Sequence, residues 1–126
     1  MDPVRIGVIG TGRMGQSHCR VYSNLRHAKF VGICDANSDV GKEMARRHEV
    51  SFFRDVDALL ENVDAVSVCT PTPHHYEIVK RCLDQGIHVM VEKPFTETLE
   101  QAQALKEAAA KSKAVVQVGH IEKYNP

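Results

Sequence analysis

The run Gly10-Thr11-Gly12-Arg13-Met14-Gly15 constrains this chain more than any other feature. It matches G-x-G-x-x-G, a pattern that is weak alone and strong in the right context. Directly before it, residues 4–9 form a short β-branched stretch that reads as a buried strand. Directly after it, Met14, His18, Val21, Tyr22 and Leu25 recur at helical spacing and predict one apolar stripe on a helix of about three turns. A second strand at 30–34 closes on Asp35, twenty residues after Gly15. In such a unit Gly10 permits the tight turn, Gly12 lets a pyrophosphate approach the backbone, and Gly15 lets the helix pack closely on the sheet. The helix start, with Arg13 and Met14, offers unpaired N–H donors and partial positive charge to a diphosphate. Asp35 is placed to accept hydrogen bonds from both hydroxyls of an adenosine ribose and to repel a 2′-phosphate. Ala36, Asn37, Ser38 and Asp39 supply no basic residue that would hold such a phosphate. These residues predict NAD as cofactor, in preference to NADP.

The apolar period keeps switching along the rest of the chain. A helix over roughly 39–48 carries Val40 and Met44 on one face, and Phe52 and Phe53 make a short third strand. Asp55 is placed to cap a one-turn helix holding Leu59 and Leu60. A fourth strand spans 65–69, and Pro71 and Pro73 mark a turn and a helix start. That helix turns Ile78, Val79, Cys82 and Leu83 inward and stops at Gly86. Residues 88–91 form a fifth strand. Leu99, Ala102, Leu105 and Ala109 mark an Ala-rich helix, and 115–118 a sixth strand. Strands alternating with helices predict an α/β fold: a Rossmann-type, doubly wound, parallel six-stranded sheet with helices on both faces. The whole stretch 1–126 reads as one dinucleotide-binding domain.

Composition excludes several alternatives. Sixteen Lys and Arg balance sixteen Asp and Glu, so a basic footprint for nucleic acid or an anionic membrane is absent. Uncharged stretches are strand-sized, which predicts no membrane span. Cys19, Cys34, Cys69 and Cys82 sit at wide spacings and read as free buried thiols in a reducing, cytoplasmic compartment. No set of His, Cys, Asp and Glu has metal-ligand spacing, so no metal is expected.

Three further segments fall where an open α/β sheet binds ligands, beyond the carboxyl ends of its strands. They are Thr70-Pro71-Thr72-Pro73-His74-His75, Glu92-Lys93-Pro94 and Gly119-His120. With the glycine run, the whole chain resembles the glucose-fructose oxidoreductase / inositol dehydrogenase family, Gfo/Idh/MocA. The resemblance implies that Lys93 lies beside the nicotinamide and assists proton transfer from a sugar hydroxyl as the catalytic lysine. It implies that Thr70, Pro71, Thr72 and His75 belong to the loop passing the cofactor, with Glu92 fixing the lysine loop. For His75 a buried polar contact competes with ligand contact, and His74 is expected in solvent. His18, His27, His48 and His88 are expected away from the site, and His120 could approach it from the cofactor side. Enzymes of the family carry a second, substrate-binding domain with an Asp/His pair, for which this chain has no counterpart before Asn125-Pro126. Two readings follow. One is the NAD-binding half of a dehydrogenase acting on a sugar or sugar nucleotide, with a homo-oligomer expected of the full-length protein. The other is a non-catalytic dinucleotide-binding or redox-sensing module. The closing stretch 116–126 resembles members that oxidise C3 of UDP-linked amino sugars.

Overall fold

The β-branched runs become parallel strands in the computed structural model, which describes residues 2–92 and 96–119. The order along the chain is β1 (Val4–Ile9), α1 (Arg13–Ser23), β2 (Ala28–Cys34), α2 (Ser38–His48), β3 (Ser51–Phe53) and α3 (Val56–Leu60). It continues with β4 (Ala65–Val68), a 3-10 turn (Thr72–His74), α4 (His75–Asp84), β5 (His88–Glu92), α5 (Leu99–Lys111) and β6 (Val116–Gly119). In the sheet the strands lie in the order β3-β2-β1-β4-β5-β6, all parallel. The chain therefore winds outwards from β1 in one direction and then from β4 in the other. Between those two strands the strand order reverses, which opens a crevice at their carboxyl ends.

Alternate residues of each strand feed two separate cores, as the period of two requires. Val8 and Ile33 pack with Cys19, Met44 and Ala45 under α1 and α2. Ile9, Val66, Val68, Val89 and Val91 pack with Leu59, Val79, Cys82 and Leu105 under α3, α4 and α5. Side-chain caps set where several helices begin. Asn37 accepts from the Val40 amide at 3.2 Å, Asp55 from Ala58 at 2.8 Å as expected, and Thr98 from Gln101 at 3.1 Å. Gly86, at φ +72°, lets the chain leave α4 while the Ile87 amide returns to the Cys82 carbonyl at 2.8 Å.

The helical faces differ from the apolar stripes in three places. On α1 the buried residues are Gly15, His18 and Cys19, whereas Val21, and Leu25 just past the end of the helix, are exposed. On α2 they are Gly41, Met44 and Ala45, and Val40 is exposed. Leu99 opens α5 at 90% exposure, and Leu105 carries the burial instead. Part of the face that meets the sheet is built from small residues, Gly15 and Cys19 on α1 and Gly41 and Ala45 on α2, which a hydropathy stripe underweights. A Cβ on Gly41 would stand 2.4 Å from the Phe52 ring.

The four cysteines are free thiols. Burial pushes Cys34 up to about 11 and Cys19 and Cys82 up to about 12. Burial also raises Cys69. No helix among the described residues is long and apolar enough to cross a membrane.

Candidate cofactor-binding site

At the carboxyl end of β1 the backbone must reverse sharply into α1, and the glycines make that possible. Gly10 has φ +92°, and a Cβ there would meet the Cys69 carbonyl carbon and oxygen at 2.8 Å. A Cβ on Gly15 would lie 1.9 Å from the Gly10 carbonyl oxygen, so the first turn of α1 packs directly on the turn that precedes it. Gly12 is different. A Cβ there would have nothing within 4 Å, because the residue faces an open cleft. Gly12 stands at the N-cap of α1, and no acidic residue lies in the first helical turn. The first amides of the helix therefore keep their donors and partial positive charge for a ligand.

The cleft has a volume of about 830 Å³ and runs along the ends of β1, β2 and β4. Asp35 stands on its rim, just after β2. The Thr11 amide donates to Asp35 Oδ2 at 2.7 Å, the Thr11 hydroxyl donates to the same oxygen, and the Asn37 amide donates to Oδ1 at 2.8 Å. On the opposite wall, Thr70 Oγ1 is buried with no hydrogen-bond partner among the described residues. A buried hydroxyl without a partner is costly and uncommon, and here it stands at a ligand cleft. A glycine cradle, unpaired helix amides, an oriented carboxylate and an orphan hydroxyl together fit a dinucleotide with a diphosphate at its centre.

Between α1 and the strands β4 and β5 lies a buried polar cluster. His18, fully buried on α1, places Nδ1 2.7 Å from Ser67 Oγ on β4 and Nε2 3.3 Å from Glu92 Oε1 at the end of β5. The Tyr22 hydroxyl, one turn further along α1, bonds to the same Ser67 oxygen. Acceptor chemistry assigns the protons: Nε2–H donates to the carboxylate, Ser67 donates to Nδ1, and Tyr22 donates to Ser67. Burial, above all, raises the Tyr22 phenol, which keeps it a donor. The cluster ties three elements together beneath the residue that precedes Lys93.

A family model described as "Oxidoreductase family, NAD-binding Rossmann fold" (GFO_IDH_MocA) matches residues 4–120. The chain belongs to the Gfo/Idh/MocA oxidoreductase family. It is 37% identical to the UDP-N-acetylglucosamine 3-dehydrogenase of Acidithiobacillus ferrooxidans over 100% of this chain and 40% of that protein. The solved structure of that enzyme, GnnA, superposes with a TM-score of 0.92 over 100% of this chain and 41% of its own. GenD2 from gentamicin A biosynthesis, solved in complex with NAD, is 27% identical, with a TM-score of 0.90 over 94% of this chain and 35% of its own. KijD10, a 3-ketoreductase from Actinomadura kijaniata solved with TDP-benzene and NADP, is 28% identical, with a TM-score of 0.89 over 99% and 40%. The chain thus spans about two fifths of the length of these relatives.

Of the residues singled out in the sequence, Gly10, Gly12, Arg13, Met14, Asp35, Thr70 and Pro71 line the cleft. Gly15 lies beneath the turn. Thr72 opens the 3-10 turn, and His75 is buried with Nε2 donating to the Thr70 carbonyl at 2.7 Å. Glu92 is buried and turned towards His18, which links α1 to the end of β5; His18 itself does not line the cleft. His74 is exposed, yet it also lines the cleft. Lys93, Pro94 and His120 lie outside the described residues.

Other cleft residues escaped the sequence reading: Arg54, Val56, Ile78 and Arg81. Arg54 directly follows β3, whose Phe53 pairs with Cys34, so a cation stands beside Asp35 at the next strand end. The rule that ligands gather at strand carboxyl ends applies to β3 as well, and would have found it. Arg81 reaches the cleft from α4 while paired to Glu77 one turn earlier at 3.2 Å and to Asp57 on α3 at 3.8 Å.

Proposed function

We propose that this chain is the cofactor-binding part of a dehydrogenase that uses NAD in preference to NADP and acts on a hydroxyl of a sugar or sugar nucleotide. The observation that carries the cofactor choice is Asp35, oriented on the cleft rim by Thr11 and Asn37. A carboxylate there accepts a hydrogen bond from a ribose hydroxyl and repels a 2′-phosphate. Family membership alone leaves this choice open, since GenD2 was solved with NAD and KijD10 with NADP. Bound NAD supplies a hydride acceptor. The chain's own residues hold the diphosphate at Gly12 and the α1 amides and orient the adenosine at Asp35. Lys93, in the Glu-Lys-Pro triplet, stabilises charge developing on the substrate oxygen and assists its proton transfer. Sequence order supports this role, because Lys93 follows the last residue of β5, next to β4 in the sheet. The similarity to the UDP-N-acetylglucosamine 3-dehydrogenase supports a UDP-linked amino sugar as the substrate class. Zero net charge and free thiols support a cytoplasmic protein that does not act on nucleic acid.

The test is calorimetric titration of NAD and NADP into the chain and into Asp35→Ala. Expected is tighter binding of NAD than of NADP, an NAD loss of about tenfold in the variant, and a gain for NADP once the Asp35 carboxylate no longer stands beside Arg54. Equal affinities in the native chain, or undiminished NAD binding by Asp35→Ala, rejects the cofactor reading. For Lys93, the variant Lys93→Ala in a protein that carries a substrate domain should keep NAD affinity while hydride transfer falls on the order of a hundred- to ten-thousandfold.

A further inference from the structure

A carboxylate has about four acceptor sites, two on each oxygen. At Asp35 three are occupied by the chain itself: both sites of Oδ2 by the amide and hydroxyl of Thr11, and one site of Oδ1 by the Asn37 amide. Thr11 lines the cleft but is completely buried, so no solvent competes for its hydroxyl. Its position is enforced by the glycine turn, because Thr11 sits between Gly10, held in the left-handed region, and the N-cap residue Gly12.

We propose that Thr11 is a positioning residue for cofactor recognition: by filling Oδ2 it leaves Oδ1 as the single ligand-facing oxygen of Asp35, so the adenosine ribose is read through one hydroxyl and not through both. The inference rests on the reading of Asp35 as the ribose-binding residue. It differs from the two-hydroxyl contact that a free carboxylate at this strand end would make. The Thr11 amide stays in place whatever its side chain, so the hydroxyl alone decides whether Oδ2 has room for a second ribose contact.

The experiment compares NAD with its two adenosine-ribose analogues, 2′-deoxy and 3′-deoxy, by calorimetric titration into the native chain. Removing one hydroxyl should cost about tenfold in affinity, the ordinary weight of a hydrogen bond to a charged group, and removing the other less than about twofold. In Thr11→Val, which keeps the side-chain shape and frees one site on Oδ2, both removals should cost several-fold. In Thr11→Ser, which restores a hydroxyl, the native asymmetry should return. General damage to the turn would weaken all three ligands in parallel and leave these ratios unmoved. Equal losses for the two analogues in the native chain would overturn the proposal, and that measurement needs no variant to fold. An asymmetry that survives in Thr11→Val, or one that vanishes in Thr11→Ser, also overturns it. Failure of the Asp35 reading looks different: Asp35→Ala would bind NAD as well as the native chain does.

Discussion

The two ends of the binding region are built on opposite principles. At the Asp35 end, where we propose that the adenosine binds, the glycine turn spans six consecutive residues and meets Asp35 through Thr11, and its geometry follows from backbone sterics. Gly10 and Gly15 are required because any side chain would strike the main chain, whereas Gly12 faces open space. At the β4–β5 end, the defining feature is a buried polar cluster. His18, Tyr22, Ser67 and Glu92 come from α1, β4 and β5, and His18 and Glu92 are 74 positions apart. There the constraint is satisfaction of polar groups in a dry setting, where a matched network rigidifies and a broken one is expensive. One end is specified by excluded volume, the other by hydrogen-bond bookkeeping across the sheet.

Substitutions can break this contrast at either end. The largest effect is expected at Gly15→Ala, whose Cβ has no room beside the Gly10 carbonyl. Loss of about 3 kcal/mol or more should appear in a urea melt, together with loss of NAD binding. Gly12→Ala is its control: with nothing within 4 Å of the new Cβ, stability should fall by about 1 kcal/mol or less while NAD binding drops. Equal destabilisation by the two would show that both glycines serve packing alone.

At the other end, His18→Leu removes the bridge between Ser67 and Glu92 and should cost about 2–3 kcal/mol, the range for a disrupted buried polar network. Adenosine diphosphate, used as a probe of the adenosine end, should bind the folded variant as it binds the native chain. A parallel loss of its affinity would mean that the two ends are one unit. Tyr22→Phe removes a single hydroxyl from Ser67 and should cost about 1 kcal/mol by the same melt.

The smallest effect concerns the thiols around that cluster. Cys19, next to His18, is pushed up by burial to about 12 from the ordinary 9.0. A native value above the unfolded one means that the stabilisation is complete below about pH 9 and is lost as pH rises towards 12. Melting midpoints should therefore decline above pH 9. At pH 8 a thiol reagent should label Cys19 far more slowly in the folded chain than in urea. Equal labelling rates would show that the β4–β5 end is not the dry environment its hydrogen bonds describe.

Much of this protein is determined by sequence alone. The alternation of β-branched runs with helical stripes requires a parallel sheet covered on both faces, and the strands appear within two residues of where the runs predict them. The glycine run and Asp35 are legible because their spacing encodes a local backbone path that few other residues can follow. Tertiary structure decided what depends on which surfaces meet. It turned Val21, Leu25, Val40 and Leu99 outwards, and on α1 and α2 it gave Gly15, Cys19, Gly41 and Ala45 places against the sheet. It brought Arg54 to the rim beside Asp35, and it assigned the Asp35 lone pairs to Thr11 and Asn37. It also converted His18, which reads as one more member of an apolar stripe, into the centre of a buried network. A histidine becomes a core residue only when distant strands supply its donors and acceptors, and no period in a linear chain records which strand will be its neighbour.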